Sequence, residues 1–292
     1  MAMAPKSFNL LSCISLLLLL NQVLLSHAKS PQSNAVSSSP LSFLNNLVGI
    51  RKGHTAKGLS QLKKHLTNLG YMKNYNKNSY DKARASIDLF DDDLELAIKQ
   101  YQTFFHLKTN GILDSKTIET LRLPRCGVAD FANSNGGQVN NIKWPRTKRS
   151  LTYSFPRATR KDVMNPIKDA TQQWSNVTNF TFKYIENYDH ADIKFSFQRR
   201  ILGDVETFDG PSGIWAHAFG PNDGRVHYDG DEKWVAKGGL DLQTIMLHEL
   251  GHVLGLGHTS DHDAIMYPII STGIRKGLGQ DDINGIRALY NF

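Results

Sequence analysis

Leu59, Leu62, Leu66 and Leu69 recur at steps of three and four, which draws one apolar stripe along a helix. Ile98, Tyr101 and Phe105 repeat the pattern, and Asp114 is placed to cap a third helix carrying Ile118 and Leu121. These positions predict a small all-helical bundle of roughly 80 residues whose leucines and aromatics form a core. Beyond a Gly-, Asn- and Ser-rich stretch (NSNGGQVNN) the pattern changes. LTYSF (151–155), FTFKYI (180–185), ADIKFSF (191–197), GIWAHAF (213–219) and RVHYD (225–229) read as strands. Val163, Ile167, Ala170 and Trp174 predict a helix between the first two of them, and TIMLHEL supplies the apolar residues of a buried one. The class is α+β, a helical bundle followed by a mixed domain, with no internal repeat.

The N-terminus bears on compartment. An apolar run from Leu10 to Leu25 ends at Ser26-His27-Ala28, a small residue suited to signal-peptidase cleavage. The run is short and is interrupted by Asn21 and Gln22, so residues 1–28 read as a secretory signal rather than a membrane anchor. No other segment reads as apolar enough to span a bilayer, and ALYNF at the end gives no expectation of a lipid anchor. Of two cysteines, Cys13 leaves with the signal, and the lone thiol Cys126 then needs a reason. The formal charge of +7 suits a basic protein among anionic wall or matrix polymers; no nucleic-acid signature accompanies it. Asn176 and Asn179 begin two sequons, too close together for both to carry glycans.

The sharpest signal is HELGHVLGLGH, 248–258. On a helix His248 and His252 lie four residues apart, so their imidazoles can converge on one ion, with Glu249 beside them and free to reach a ligand of that ion. A continuous helix would carry His258 about 15 Å along its axis. The chain must therefore fold back, and Gly255 permits the positive φ that such a turn needs. Ala264-Ile265-Met266-Tyr267-Pro268 can then pass beneath the site. HExxHxxGxxH followed by Met-Tyr-Pro resembles the metzincin zinc endopeptidases, and Thr259 after the third histidine resembles the matrixins among them.

That resemblance implies a catalytic domain with a mixed twisted β-sheet and three helices, and a catalytic zinc on His248, His252 and His258 above the Met266 turn. Three imidazoles leave Zn²⁺ an open position for water, whose pKa falls to about 7. Glu249 is then the general base that takes the water's proton. An extended protein or peptide substrate is expected to pair with the edge strand matching GIWAHAF. Thr244 stands where the family lines its primary specificity pocket. Pro124-Arg125-Cys126-Gly127-Val128-Ala129-Asp130 resembles the matrixin cysteine switch, with Ala129 in place of the usual proline. Cys126 is then a zinc ligand of a latent form, with Arg125 paired to Asp130.

The expected layout is a signal peptide (1–28), a propeptide (29–140, its peptidoglycan-binding-like bundle at about 50–123 and switch at 124–130) and a catalytic domain (141–292), most like the short plant members. Arg146-Thr147-Lys148-Arg149 superficially suits a dibasic processing protease, but the resemblance puts it at the start of the mature domain. Asp204, His217 and His227 match three ligands of a structural zinc, with Leu202 where a fourth, histidine, is usual. Asp209, Asp229 and Glu232, with the carbonyls of Gly210, Ser212 and Ile214, match a calcium site, and Asp192 matches a ligand of a second one. The expectation is a monomeric, secreted zymogen of the apoplast or extracellular matrix. The alternative is a catalytically weakened binding or regulatory protein, which Leu202 keeps open and the intact Glu249 opposes.

Overall fold

A computed structural model describes residues 40–72, 87–131, 142–199, 208–235 and 239–291. The signal segment, the linker from 132 to 141, Leu202 and Asp204 lie outside them. The three bundle helices form where the leucine stripes place them: α1 Leu59–Asn68, α2 Asp92–Phe104 and α3 Ser115–Leu121. Asp91 and Asp114 cap the second and third by accepting from Leu94 N (2.9 Å) and Thr117 N (2.8 Å), which satisfies donors that a helix start leaves unpaired. A 3-10 turn at Ser42–Leu47, too short to show a period, adds Leu44 and Leu47 to the same buried cluster. The Lys63 stem is buried there too, its ammonium donating to Asp91 Oδ2 at 2.5 Å.

The second part is built on a six-stranded sheet: β1 Arg125–Cys126, β2 Ser150–Ser154, β3 Thr181–Tyr184, β4 Ile193–Gln198, β5 Ile214–Ala218 and β6 Arg225–Asp229, in the order β1-β5-β6-β4-β2-β3. β2, β3, β4 and β6 are parallel, and β5 pairs antiparallel with β6. A parallel pair needs a long crossover, and α4 (Met164–Val177) supplies it between β2 and β3. It buries Ile167, Ala170 and Trp174 against α5 (Leu242–Val253), where the Trp174 indole donates to Leu247 O at 2.9 Å. A two-stranded pair, β7 Trp234–Val235 with β8 Leu240–Asp241, and a last helix, α6 Gln280–Tyr290, complete the elements. The residue pattern does not reveal α6, because only Asp282, Ile286 and Tyr290 are buried on it.

β1 belongs by sequence to the leader, yet it extends the sheet by adding in parallel to the edge strand β5. Tyr267 and Ile269 in turn pack into the bundle's cluster, with Phe105 and Tyr267 edge to face at 5.8 Å. The RTKR stretch is fastened down: the Arg149 guanidinium lies over Phe180 (5.2 Å) and Tyr290 (5.3 Å), and Lys148 pairs with Asp192. Just before it the Trp144 indole donates to Val253 O at 3.0 Å. Asn176 and Asn179 are both exposed.

Candidate metal centre

α5 is buried on every side, which explains why its residues read as apolar all round the two histidines. The helix ends as the sequence requires. Gly255 has φ of 102°, its N–H meets His252 O at 2.9 Å, and Leu256 N–H meets Gly251 O at 2.9 Å. That pair of bonds is the Schellman stop. The reversal returns Leu256 O to within 2.9 Å of His252 Nδ1, so the turn that ends the helix also aims the second histidine.

All three imidazoles are oriented from behind. His248 Nδ1 donates to Ile265 O (2.7 Å), His252 Nδ1 to Leu256 O and His258 Nδ1 to Asp130 Oδ1 (2.7 Å). Carbonyls and carboxylates only accept, so each Nδ1 carries the proton and each Nε2 presents a bare lone pair. These three Nε2 atoms lie 3.1–3.2 Å from one another. Cys126 Sγ stands 3.5 Å from His252 Nε2. A tetrahedral zinc with its usual bond lengths sets N···N at about 3.3 Å and N···S at about 3.5 Å. The donor set therefore fits zinc. Burial first, then repulsion among the rings, holds His248 and His252 neutral far below the ordinary histidine range; burial lowers His258 as well. Burial and the nearby Glu249 push the Cys126 thiol well up, so only a cation makes it a thiolate. Among the described residues, these four form the sole group of three or more His, Cys, Asp or Glu whose ligand atoms converge.

Glu249 is buried with no donor in good hydrogen-bond geometry on either carboxylate oxygen, and burial pushes its pKa up to about 8 against the lowering effect of the neighbouring Cys126 thiol. A buried carboxyl with no stronger donor than a thiol is costly to keep in a fold that does not use it. Beneath the site, Met266 Sδ would lie 2.3 Å from a Cβ on Gly251, so only glycine admits the methionine there. The turn carrying Met266 is tied by a residue that sequence reasoning missed. Asp282 on α6 accepts from Ile265 N (2.7 Å), Met266 N (3.0 Å) and Gly279 N (2.7 Å). Its one sequence signal was an Asp in the first turn of an unrecognised helix. Thr244 is buried at the start of α5, its hydroxyl donating to Asp241 Oδ1 (2.7 Å) and accepting from Lys276 N (3.0 Å). It fastens the chain near residue 276 to the helix.

Arg125 and Asp130 form a buried two-point pair, one arm at 3.0 Å, and the guanidinium holds the carboxylate well below the usual range. The leader backbone grips both sides of the cleft: Arg125 N to Gly213 O (2.7 Å), Cys126 N to Pro268 O (3.0 Å) and Gly127 N to Ala216 O (2.8 Å).

Away from the centre, His217 and His227 face each other across β5 and β6 with ring nitrogens 3.1 Å apart. Asp209 accepts from Ile214 N, and Glu232 from Ser212 N; Asp229 and Glu232 add to the burial that raises Asp209 to about 6. The Asp192 carboxylate meets the Lys148 ammonium and accepts from Thr152 N and Oγ1 (both 2.8 Å).

A family model described as Matrixin matches residues 143–291, and one described as a putative peptidoglycan binding domain matches 55–121. Metalloendoproteinase 1 of Glycine max is 40% identical over 262 residues, covering 82% of this chain and 83% of that protein. Metalloendoproteinase 5-MMP of Arabidopsis thaliana is 38% identical, covering 88% and 81%. The interstitial collagenase of Oryctolagus cuniculus is 42% identical over 201 residues, 66% of this chain and 42% of that one. Fold, donor set and breadth of match together place the chain in the matrixin family, the zinc-dependent metalloendopeptidases, with a helical domain ahead of the catalytic one.

Proposed function

We propose that this chain is a secreted endopeptidase made as a latent zymogen, with residues 1–28 its signal, 29–140 its propeptide and 141–292 its catalytic domain. The observation that carries the reading is the 3.5 Å approach of Cys126 Sγ to His252 Nε2, opposite three bare imidazole nitrogens. In the latent form His248, His252, His258 and Cys126 would hold the zinc together, and displacing Cys126 would leave it to the three histidines. Zinc bound there would supply a Lewis acid that acidifies water and polarises the scissile carbonyl.

The protein's own groups do the rest. Glu249 takes a proton from the attacking water and returns it to the leaving amine. The β5 edge, paired with β1 in the latent form, offers the same backbone groups to an extended substrate once the leader departs. Asp209, Asp229 and Glu232 with nearby carbonyls would hold a calcium ion, which would relieve their mutual repulsion. His217 and His227, with Asp204, would hold a second zinc. Secretion rests on the N-terminal apolar run, and among the described residues no helix is long and apolar enough to cross a membrane.

The test is peptide hydrolysis before and after a mercurial reagent that captures the thiol. A zinc-loaded precursor inert before treatment and able to cleave casein afterwards is the expected result. A treated precursor that binds zinc and cleaves nothing would favour the catalytically weakened binding protein instead.

A further inference from the structure

Two of the three histidines are aimed by carbonyls of the catalytic part itself, Ile265 O and Leu256 O. The third is not. His258 Nδ1 donates to Asp130 Oδ1, a carboxylate of the leader 128 residues away in sequence. Side-chain exposure is nil on both partners. The same carboxylate takes the two arms of Arg125, and its other oxygen accepts from the Tyr71 hydroxyl at 2.6 Å. Tyr71 lies just past α1, its ring edge-on to Tyr101 (5.2 Å) and Phe131 (5.3 Å), and Asp130 N bonds Leu69 O at 2.9 Å. The bundle thus grips Asp130 by backbone and side chain while Asp130 grips a histidine of the catalytic part.

We propose that the leader serves the metal centre twice: through the Cys126 thiolate, and through Asp130 as the outer acceptor that aims His258, with Tyr71 holding that carboxylate in place. The inference rests on the zinc-ligand reading of His258 above. A carboxylate behind a metal-bound imidazole fixes its tautomer and orientation and strengthens it as a ligand; losing such a partner typically weakens metal binding about 10- to 100-fold. Departure of the leader therefore removes two supports of the zinc, and the latent protein retains the ion better than loss of the thiolate alone explains. Linkage makes the effect reciprocal: an occupied centre tightens the leader's hold by the same factor.

The experiment uses the full-length latent precursor carrying Co²⁺ in place of zinc. The thiolate-to-cobalt absorption band reports Cys126 at the metal, and its decay in excess chelator reports ion release. The unmutated precursor shows the band; its absence there would refute the ligand reading itself. Asp130→Asn should keep the band at the start and lose it about tenfold faster or more. Tyr71→Phe, which spares the Arg125 pair and the ring packing, should keep the band and lose it several-fold faster. If the band is already absent in Asp130→Asn, the carboxylate acts only by holding the loop in the cleft, and the inference fails. It fails equally if both variants keep the band and release cobalt at the unmutated rate.

Discussion

The two buried oxygens of Glu249 have no donor in good hydrogen-bond geometry. Glu249→Gln keeps shape and burial but removes the base. The activated variant should hold zinc at the unmutated stoichiometry and lose activity by about 10²- to 10⁴-fold. Activity within a few-fold, at matched zinc content, would remove Glu249 from the mechanism. Leu202 raises the opposite question, because an isobutyl group stands where a fourth ligand of a structural zinc is usual. Closed structural sites take four protein ligands, so the ion at His217 and His227 should dialyse away before the one at His248, His252 and His258. Leu202→His should retain it and raise Tm, since an ion bound only by the folded state stabilises that state. Elemental analysis of both proteins after dialysis decides; two firmly held zincs without the substitution would show that another ligand is present.

Elements carry the site through their ends. α5 delivers two histidines and stops at Gly255, while α6 delivers Asp282, which ties the turn beneath the metal. Asp282→Ala leaves three backbone N–H groups without their acceptor, at a cost on the order of 3 kcal/mol. Denaturant unfolding should show that loss, and the variant should release zinc faster because Ile265 O no longer has a fixed position behind His248. Unchanged stability and unchanged zinc release would mean that water replaces the carboxylate without consequence. In the bundle, His65 on α1 is half-buried with its Nε2 sealed from solvent and unpartnered, facing Arg125 and Asp130. Burial, then the Arg125 charge, lowers its pKa from 6.5 to about 4. The folded value lies below the unfolded one, so the unfolded chain binds more protons between them. That stability is whole above about pH 6.5 and is lost as pH falls through about 4. The precursor's Tm should fall on acidification from pH 7 to 4.5, and fall less in His65→Leu. An equal fall in both would clear His65 of the effect.

At the scale of the whole molecule, the leader occupies the cleft by adding a strand to the sheet edge and by placing Cys126 against the histidines. Serine offers a far poorer metal ligand than a thiolate, so the Cys126→Ser precursor should cleave peptide substrate, or itself, without an activating reagent. If it stays as inert as the parent, the bundle blocks the cleft by bulk and the thiol is incidental. The fastened RTKR stretch bears on processing as well: cleavage after Arg149 would need to strip its guanidinium from Phe180 and Tyr290 and to free Thr181 N from Arg149 O. Mass spectrometry of the activated protein should therefore find residues 146–149 retained.

Much of this was legible in one dimension, because the signals were local. A helix needs only its stripe and its cap, so α1, α2, α3, α4 and the histidine helix could be read from Leu62, Ile98, Asp114, Trp174 and their neighbours. HELGHVLGLGH carries its geometry within eleven residues: a turn of helix brings two imidazoles together, and a glycine turns the third back. Other features depended on contacts between distant segments. No periodicity marks Asp282 as the tie beneath Met266, since that role exists only when α6 packs there. Thr244 and Asp192 take partners that no local pattern marks, because a backbone N–H at Lys276 and an ammonium at Lys148 arrive from elsewhere in the chain. Asp130 could be read as the partner of Arg125 five residues away, but its bond to His258 spans 128 residues. A sequence by itself determines what its neighbouring residues can do to one another; which distant carboxylate comes to rest behind a histidine is decided only when the chain packs.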